Sequence, residues 1–210
     1  ENMGKAMEIV EGLIAGAQPN EEILQNLKGD MIKSRADAKL NQSRCFGALQ
    51  RYMIYGSDFI RRTTLTDPAL QGLTSEQLLA KIGDLMGKQH EVLYYGPQDE
   101  AEVKAALAAH HKVAADLQPL EKKFSTLQPT DENKVMLAQY DAKQLYYMQY
   151  SNRGEKFDLA ADPQITLYNE YFGGGMNTIV FQEMREARGL AYSAWANLAI
   201  PTNAKGDYYY

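Results

Sequence analysis

The sequence predicts an α+β fold, and three observations carry that expectation. Apolar residues recur at helical spacing through most of residues 3–112. Shorter runs between 135 and 200 alternate or cluster β-branched and aromatic residues in the manner of strands. Glycines, prolines and capping residues fall between these segments, where elements should begin and end.

The helices come first. Met3, Met7, Val10 and Ile14 share one face of an opening helix, and Gln18-Pro19-Asn20 breaks it. Asn20 is placed to cap a second helix that starts with Glu21-Glu22, acids suited to the positive end, and continues through Ile23, Leu24, Leu27 and Met31. A further helix runs through Phe46, Leu49 and Met53 to Gly56, and residues 57–73 read as a connecting loop. Thr74 and Gln77 form a capping box ahead of Leu78, Leu79, Ile82 and Leu85, with Gly87 as the stop. Glu91-Val92-Leu93-Tyr94-Tyr95 reads as a strand closed by Gly96-Pro97. Asp99 and Glu102 form another capping box, ahead of an alanine-rich helix to about Lys112.

Periodicity fades over 116–132, where Pro119, Lys122, Lys123 and Pro129 suggest a linker. The expected organisation is therefore 1–115, a linker, and 133–210. Beyond the linker, Val135 to Tyr140 and Leu145 to Tyr150 read as strands about Asp141-Ala142-Lys143, with Tyr146, Met148 and Tyr150 on one face. Asp162-Pro163 opens a helix through Ile165, Leu167, Tyr168 and Tyr171 that stops at Gly173-Gly174-Gly175. A short amphipathic helix follows, carrying Val180, Met184 and Ala187, with Asn177 as its expected cap and Gly189 as a left-handed stop. From Tyr192 to Ile200 the alternation of period two predicts a half-buried strand, Pro201 to Asp207 a turn, and Tyr208-Tyr209-Tyr210 the start of a return strand.

Composition narrows the chemistry. With 210 residues, 45% hydrophobic and 23% charged, the chain has the size and makeup to bury a core. A net charge of −5 without a basic block argues against a nucleic-acid surface, and Arg61-Arg62 and Lys122-Lys123 are isolated pairs. No apolar run is long enough to cross a membrane. Cys45 is the only cysteine, which excludes an internal disulfide and a cysteine-based zinc site, and reads as a small buried hydrophobe. His90, His110 and His111 lack the helical spacing of a zinc motif: His90 adjoins Glu91 in an expected strand, and His110-His111 are neighbours at a helix end, where they suit its negative pole. The three glycines lack the Lys-Ser or Lys-Thr of a phosphate loop and read as a tight turn. Trp195, on the more polar strand face, is a candidate contact with another domain.

Tyr168-Asn169-Glu170-Tyr171, then Gly-Gly, then Phe-Gln-Glu-Met-Arg-Glu-x-x-Gly-Leu-Ala-Tyr-Ser, resembles the pitrilysin-like (inverzincin) zinc metallopeptidases. The resemblance implies long helices packed on one face of a mainly antiparallel sheet, truncated or permuted. Residues 1–115 would close one repeat and residues 133–210 open the next. It also implies that the metal-binding H-x-x-E-H lies elsewhere, because this chain has no such motif. The chain would then carry no catalytic residue and no metal, with zinc held by another domain or subunit of the same protease.

In that family an arginine and a tyrosine at the positions of Arg185 and Tyr192 hold the substrate backbone and steady the developing oxyanion. Read without the resemblance, Arg185 pairs with a nearby acid or the last helical carbonyls, and Tyr192 is core with its hydroxyl at the rim. The implied function is a non-catalytic region that encloses an extended peptide. The alternative is a structural or peptide-binding subunit that has lost zinc. Incomplete repeats also allow a homodimer.

Overall fold

The computed structural model describes residues 2–120, 127–200 and 210. Lys122-Lys123, the turn expected at Pro201–Asp207, and Tyr208-Tyr209 lie outside the described residues.

Among the described residues the expected antiparallel sheet is absent. The described residues contain helices α1 (Asn2–Ala15), α2 (Glu21–Lys39), α3 (Gln42–Thr63), α4 (Asp67–Gln71), α5 (Ser75–Met86), α6 (Glu100–His110), α7 (Asp162–Phe172) and α8 (Ile179–Phe181), with no strand among them. An isolated bridge pairs Lys88 with Gln118. The α+β expectation, with helices on one face of an antiparallel sheet, is therefore corrected to an all-helical architecture with long extended segments. The segments expected as strands, 91–95, 135–140, 145–150 and 192–200, carry no ladder. Alternation favours extended backbone, but a strand also needs a neighbour at hydrogen-bonding distance.

Two compact units account for the chain, and each is built from two stretches of sequence. Unit 1 comprises Glu1–Ala38 and Thr64–Phe124. Its organising helix is α2, capped by the Asn20 side chain, which accepts from Ile23 N–H at 3.0 Å. Glu21, Leu24 and Lys28 lie at i, i+3 and i+7, hence on one face. Lys28 is only 2% exposed, and its ammonium donates to the carbonyls of Gln71 (3.0 Å) and Leu73 (2.5 Å). The cation thus meets the negative C-terminal end of α4. Glu21 accepts from the Ser75 amide (2.6 Å) and hydroxyl (2.9 Å) at the positive N-terminal end of α5. One face of α2 is therefore charged to match two helix ends of opposite sign.

Those partners hold the Glu21 carboxyl below its usual range, the Ser75 amide first and its hydroxyl second. The segment 57–73, expected as loop, contains the last turns of α3 and all of α4. Thr66 caps α4 through Ala69 N–H, and Pro68 stands in its first turn, where a missing N–H costs nothing. The Thr74/Gln77 capping box forms in both directions. Of the box expected at Asp99 and Glu102, one half is shown: the Asp99 carboxylate accepts from Glu102 N–H at 2.9 Å.

Unit 2 comprises Lys39–Thr63 and Ser125–Tyr210. Here α3 takes the place of the missing sheet. Gln42 donates to the Gln144 carbonyl (2.6 Å), the rings of Phe46 and Tyr146 lie 5.5 Å apart, and Gln50 Nε2 meets Met148 Sδ at 3.0 Å. Steps of four along the helix match steps of two along the extended chain: about 6.0 Å against roughly 6.6 Å. The shared face read for Tyr146 and Met148 is thus laid along α3. Gly56, at φ +75°, kinks that helix, and Gln128 N–H takes the Ile54 carbonyl freed there at 2.7 Å.

The chain reverses about Asp141, between the two runs read as strands. Thr130 N–H donates to the Asn152 carbonyl at 3.0 Å, and Ala142 N–H donates to Tyr140 at 3.0 Å. The residue numbers of both pairs sum to the same value, so one antiparallel register frames the segment. Among the described residues no backbone bond joins 131–139 to 143–151. The hairpin is closed at its base and tip and splayed between.

Little apolar surface is removed from water. The buried hydrophobic residues among those described are Leu24, Leu70, Val103 and Ile165, and the chain exposes 16,834 Å². Two separate compact domains of half its mass would together expose roughly 12,000 Å². The length sufficient for a core is therefore not spent on one. Cys45, expected to be buried, is half-exposed and its thiol donates to the Lys39 carbonyl at 3.4 Å.

Candidate functional site around Arg185 and Tyr192

The site grows from the end of α7. Gly173 and Gly174 N–H both return to the Asn169 carbonyl, at 3.1 and 2.8 Å. None of Gly173, Gly174 and Gly175 has a positive φ; among the described residues the left-handed glycines are Gly56, Gly154 and Gly189. Gly173 is needed for room instead: the Ala196 carbonyl oxygen occupies the space a Cβ would take. Asn169 completes the docking of the extended segment, since its amide donates to the Leu198 carbonyl (2.9 Å) and accepts from Leu198 N–H (2.7 Å). The side chain of Asn169 thus does for Leu198 what a neighbouring strand would have done.

The next helix starts at Thr178, not at Asn177. Thr178 is 2% exposed, and its hydroxyl donates to the Gly175 carbonyl at 2.6 Å, leaving the helix without a side-chain cap. After one α-helical turn at α8 the backbone widens into a π-helix, Gln182–Ala187. Such widened turns often occur at functional sites. Gly189 ends it at φ +59°. Gly189 N–H closes on the Arg185 carbonyl (3.0 Å) and Leu190 N–H on Met184 (2.9 Å). The stop expected at Gly189 is therefore present, with the backbone conformation that favours glycine.

This reversal brings Arg185 and Tyr192 together. The Arg185 guanidinium carbon lies 4.8 Å from the Tyr192 ring centroid and 4.9 Å from that of Phe181. Phe181 is one turn upstream of Arg185, at i, i+4, and was legible only as part of the sequence pattern. Arg185 Nε is 3.6 Å from Glu186, while Glu183 pairs with Arg188 at 3.2 Å. Stacking occupies the faces of the guanidinium and leaves N–H groups at its edge for a carbonyl or carboxylate. Each such contact at an exposed site is worth about 0.5–1 kcal/mol.

Tyr192 is 86% exposed, so it is not core, and the site is open to solvent. Trp195, on the same extended segment, is 70% exposed. A shallow, open concave surface of about 420 Å³ lies along α7 and is lined by Gln164, Leu167, Tyr168 and Tyr171. Neither Arg185 nor Tyr192 contributes to it.

The histidines are placed in unit 1. His110 and His111, expected to serve the end of α6, instead reach α1, with Nδ1 atoms 2.9 Å from Glu8 and 2.6 Å from Glu11. Among the described residues no group of three or more His, Cys, Asp or Glu side chains could hold a metal ion, and no helix is long and apolar enough to cross a membrane.

No protein family, curated protein or solved structure matches this chain.

Proposed function

We propose that the chain is a non-catalytic, peptide-holding region of a zinc metallopeptidase, with Arg185 and Tyr192 contacting the backbone of an extended substrate. The observation that carries this reading is the 4.8 Å approach of Arg185 to Tyr192 within the segment that resembles the pitrilysin-like peptidases. The reading does not need the sheet. It needs a cation and a phenol held near one another beside exposed, extended backbone that a peptide can pair with. In a water-excluded chamber closed by a zinc-bearing domain, such donors act on a developing oxyanion with about 2.7–4 kcal/mol each.

Two measurements test it. Binding of a labelled, unstructured peptide to the chain weakens at least fivefold in Arg185→Ala; unchanged binding overturns the contact. In the zinc-bearing full-length protease, Arg185→Ala and Tyr192→Phe each lower turnover, and wild-type rates in both would refute the role. The large exposed apolar surface favours a second reading, a structural or peptide-binding subunit whose parent has lost zinc. An H-x-x-E-H elsewhere in the parent sequence separates the two.

A further inference from the structure

We propose that His90 and His111 form a two-nitrogen site for a late first-row divalent cation such as Zn²⁺, completed by water. The site lies in unit 1 and is independent of the peptidase reading, in which zinc belongs to another domain.

The argument is a count of protons. His111 Nδ1 faces a carboxylate oxygen of Glu11 at 2.6 Å, and His90 Nδ1 faces the Lys88 carbonyl at 2.9 Å. Both oxygens only accept, so both Nδ1 atoms carry the hydrogen. A neutral imidazole has only one, and the two Nε2 atoms are then bare lone pairs. They face each other at 2.8 Å with ring planes at 80°. Two lone pairs this close need a cation: a shared proton at this spacing, or a metal once the rings move apart.

The surroundings suit a metal. A ligating histidine characteristically donates its other N–H to a carboxylate or a backbone carbonyl, which fixes the ring and raises its basicity. Both partners are present here, one on each ring. Zn–N bonds of 2.0–2.1 Å at a tetrahedral angle put the two nitrogens roughly 3.3 Å apart. The rings must therefore part by about half an ångström and each turn by roughly 35°, so that both lone pairs meet on one ion instead of on each other. His90 can supply that movement, because it is exposed and lies outside the helices. His111 is held by a carboxylate side chain that is itself only 16% exposed.

His110 is the built-in contrast. Its Nδ1 also meets a carboxylate, Glu8, but its Nε2 packs against Gly4 of α1, where a Cβ would strike it. That nitrogen is covered. With two protein donors and no third among the described residues, the site is weaker than a three-ligand centre and keeps positions open to solvent.

The test is calorimetric titration of the chain with ZnCl₂ at pH 7.5, with the visible absorption of Co²⁺ as a second readout. One cation per chain is expected. His90→Gln and His111→Gln each weaken binding at least tenfold, Glu11→Gln weakens it about tenfold, and His110→Gln stays within twofold of wild type. Circular dichroism checks the helices of each variant. Should His111→Gln unfold, His90→Gln still decides, since its ring is exposed. The proposal is overturned if the wild type binds Zn²⁺ no better than the double variant His90→Gln/His111→Gln, or if His110→Gln costs as much as His90→Gln. A shared proton would then be all that joins the two rings.

Discussion

Unit 1 and unit 2 solve the same problem, an insufficient apolar core, by different means. In unit 1 charged side chains of one helix meet the ends of others: Lys28 the carbonyls after α4, Glu21 the amide that opens α5. In unit 2 extended backbone is fastened at a few points, Thr130 to Asn152, Asn169 to Leu198 and Gln42 to Gln144, without a ladder between them. Helix ends present concentrated, unsatisfied groups that a single side chain can serve. Extended chain presents one donor and one acceptor per residue, and a few clamps leave most of them to solvent or to a partner. The difference predicts that unit 1 is sensitive to single charged residues and unit 2 to the few side chains that act as clamps.

The comparison can be broken most directly at Lys28. Lys28→Met removes both bonds to the end of α4 while keeping the bulk of the stem. A loss of about 3 kcal/mol is expected in urea unfolding, and a value under about 0.5 kcal/mol would show that the buried ammonium does not organise unit 1.

Asn169→Ala, the corresponding test in unit 2, should cost about 2 kcal/mol and free the segment around Leu198 to exchange its amides faster. Asn169→Asp keeps the acceptor for Leu198 N–H but not the donor to its carbonyl, and should fall between the two. If Asn169→Ala leaves the exchange of Leu198 unaltered, the clamp is not what holds the extended chain.

Gly189→Ala sharpens the comparison at the candidate site. No neighbouring atom would meet the added Cβ, so the cost is that of the left-handed backbone alone, about 1 kcal/mol. Peptide binding should weaken along with stability, because the reversal is what delivers Tyr192 to Arg185.

The smallest effect concerns pH. Hydrogen bonds from Ser75 lower the folded-state Glu21 carboxyl below its unfolded value of 4.5. A depressed acid contributes stability above the unfolded value and loses it as pH falls through the folded one. The acid limb of unfolding for Glu21→Gln should therefore be shallower than wild type below about pH 4.5. Identical limbs would mean that the α5 amide is served equally well by water.

Much of unit 1 was legible in the sequence because its signals are local. Asn20, Thr74 with Gln77, and Asp99 cap their helices as the residue types and spacing require. The segment 57–73 was misread because Asp67-Pro68 marks a helix start as readily as a loop. In unit 2 the helix at 162–172 and the stop at Gly189 were legible for the same reason, while the absence of a sheet was not. Alternation at 135–150 and 192–200 specifies an extended chain with two faces and is silent on what lies beside it. At the candidate site the sequence pointed to Arg185 and Tyr192 as a pair. It gave no sign that Phe181 would stack on the same guanidinium, or that Gly173 is small to admit the Ala196 carbonyl rather than to turn the chain.

The sequence by itself determined most helix starts, through caps such as Asn20, Thr74 and Asp99, the stop at Gly189, and which residues face one way along an extended run. Those properties follow from interactions within a few residues, whose geometry the covalent backbone supplies. Tertiary structure alone decided that α3 stands where a strand was expected, that Lys28 and Glu21 serve the ends of other helices, and that His90 meets His111. These contacts join residues 20 to more than 100 positions apart, and nothing in local spacing sets which distant partner a donor or an apolar face will find.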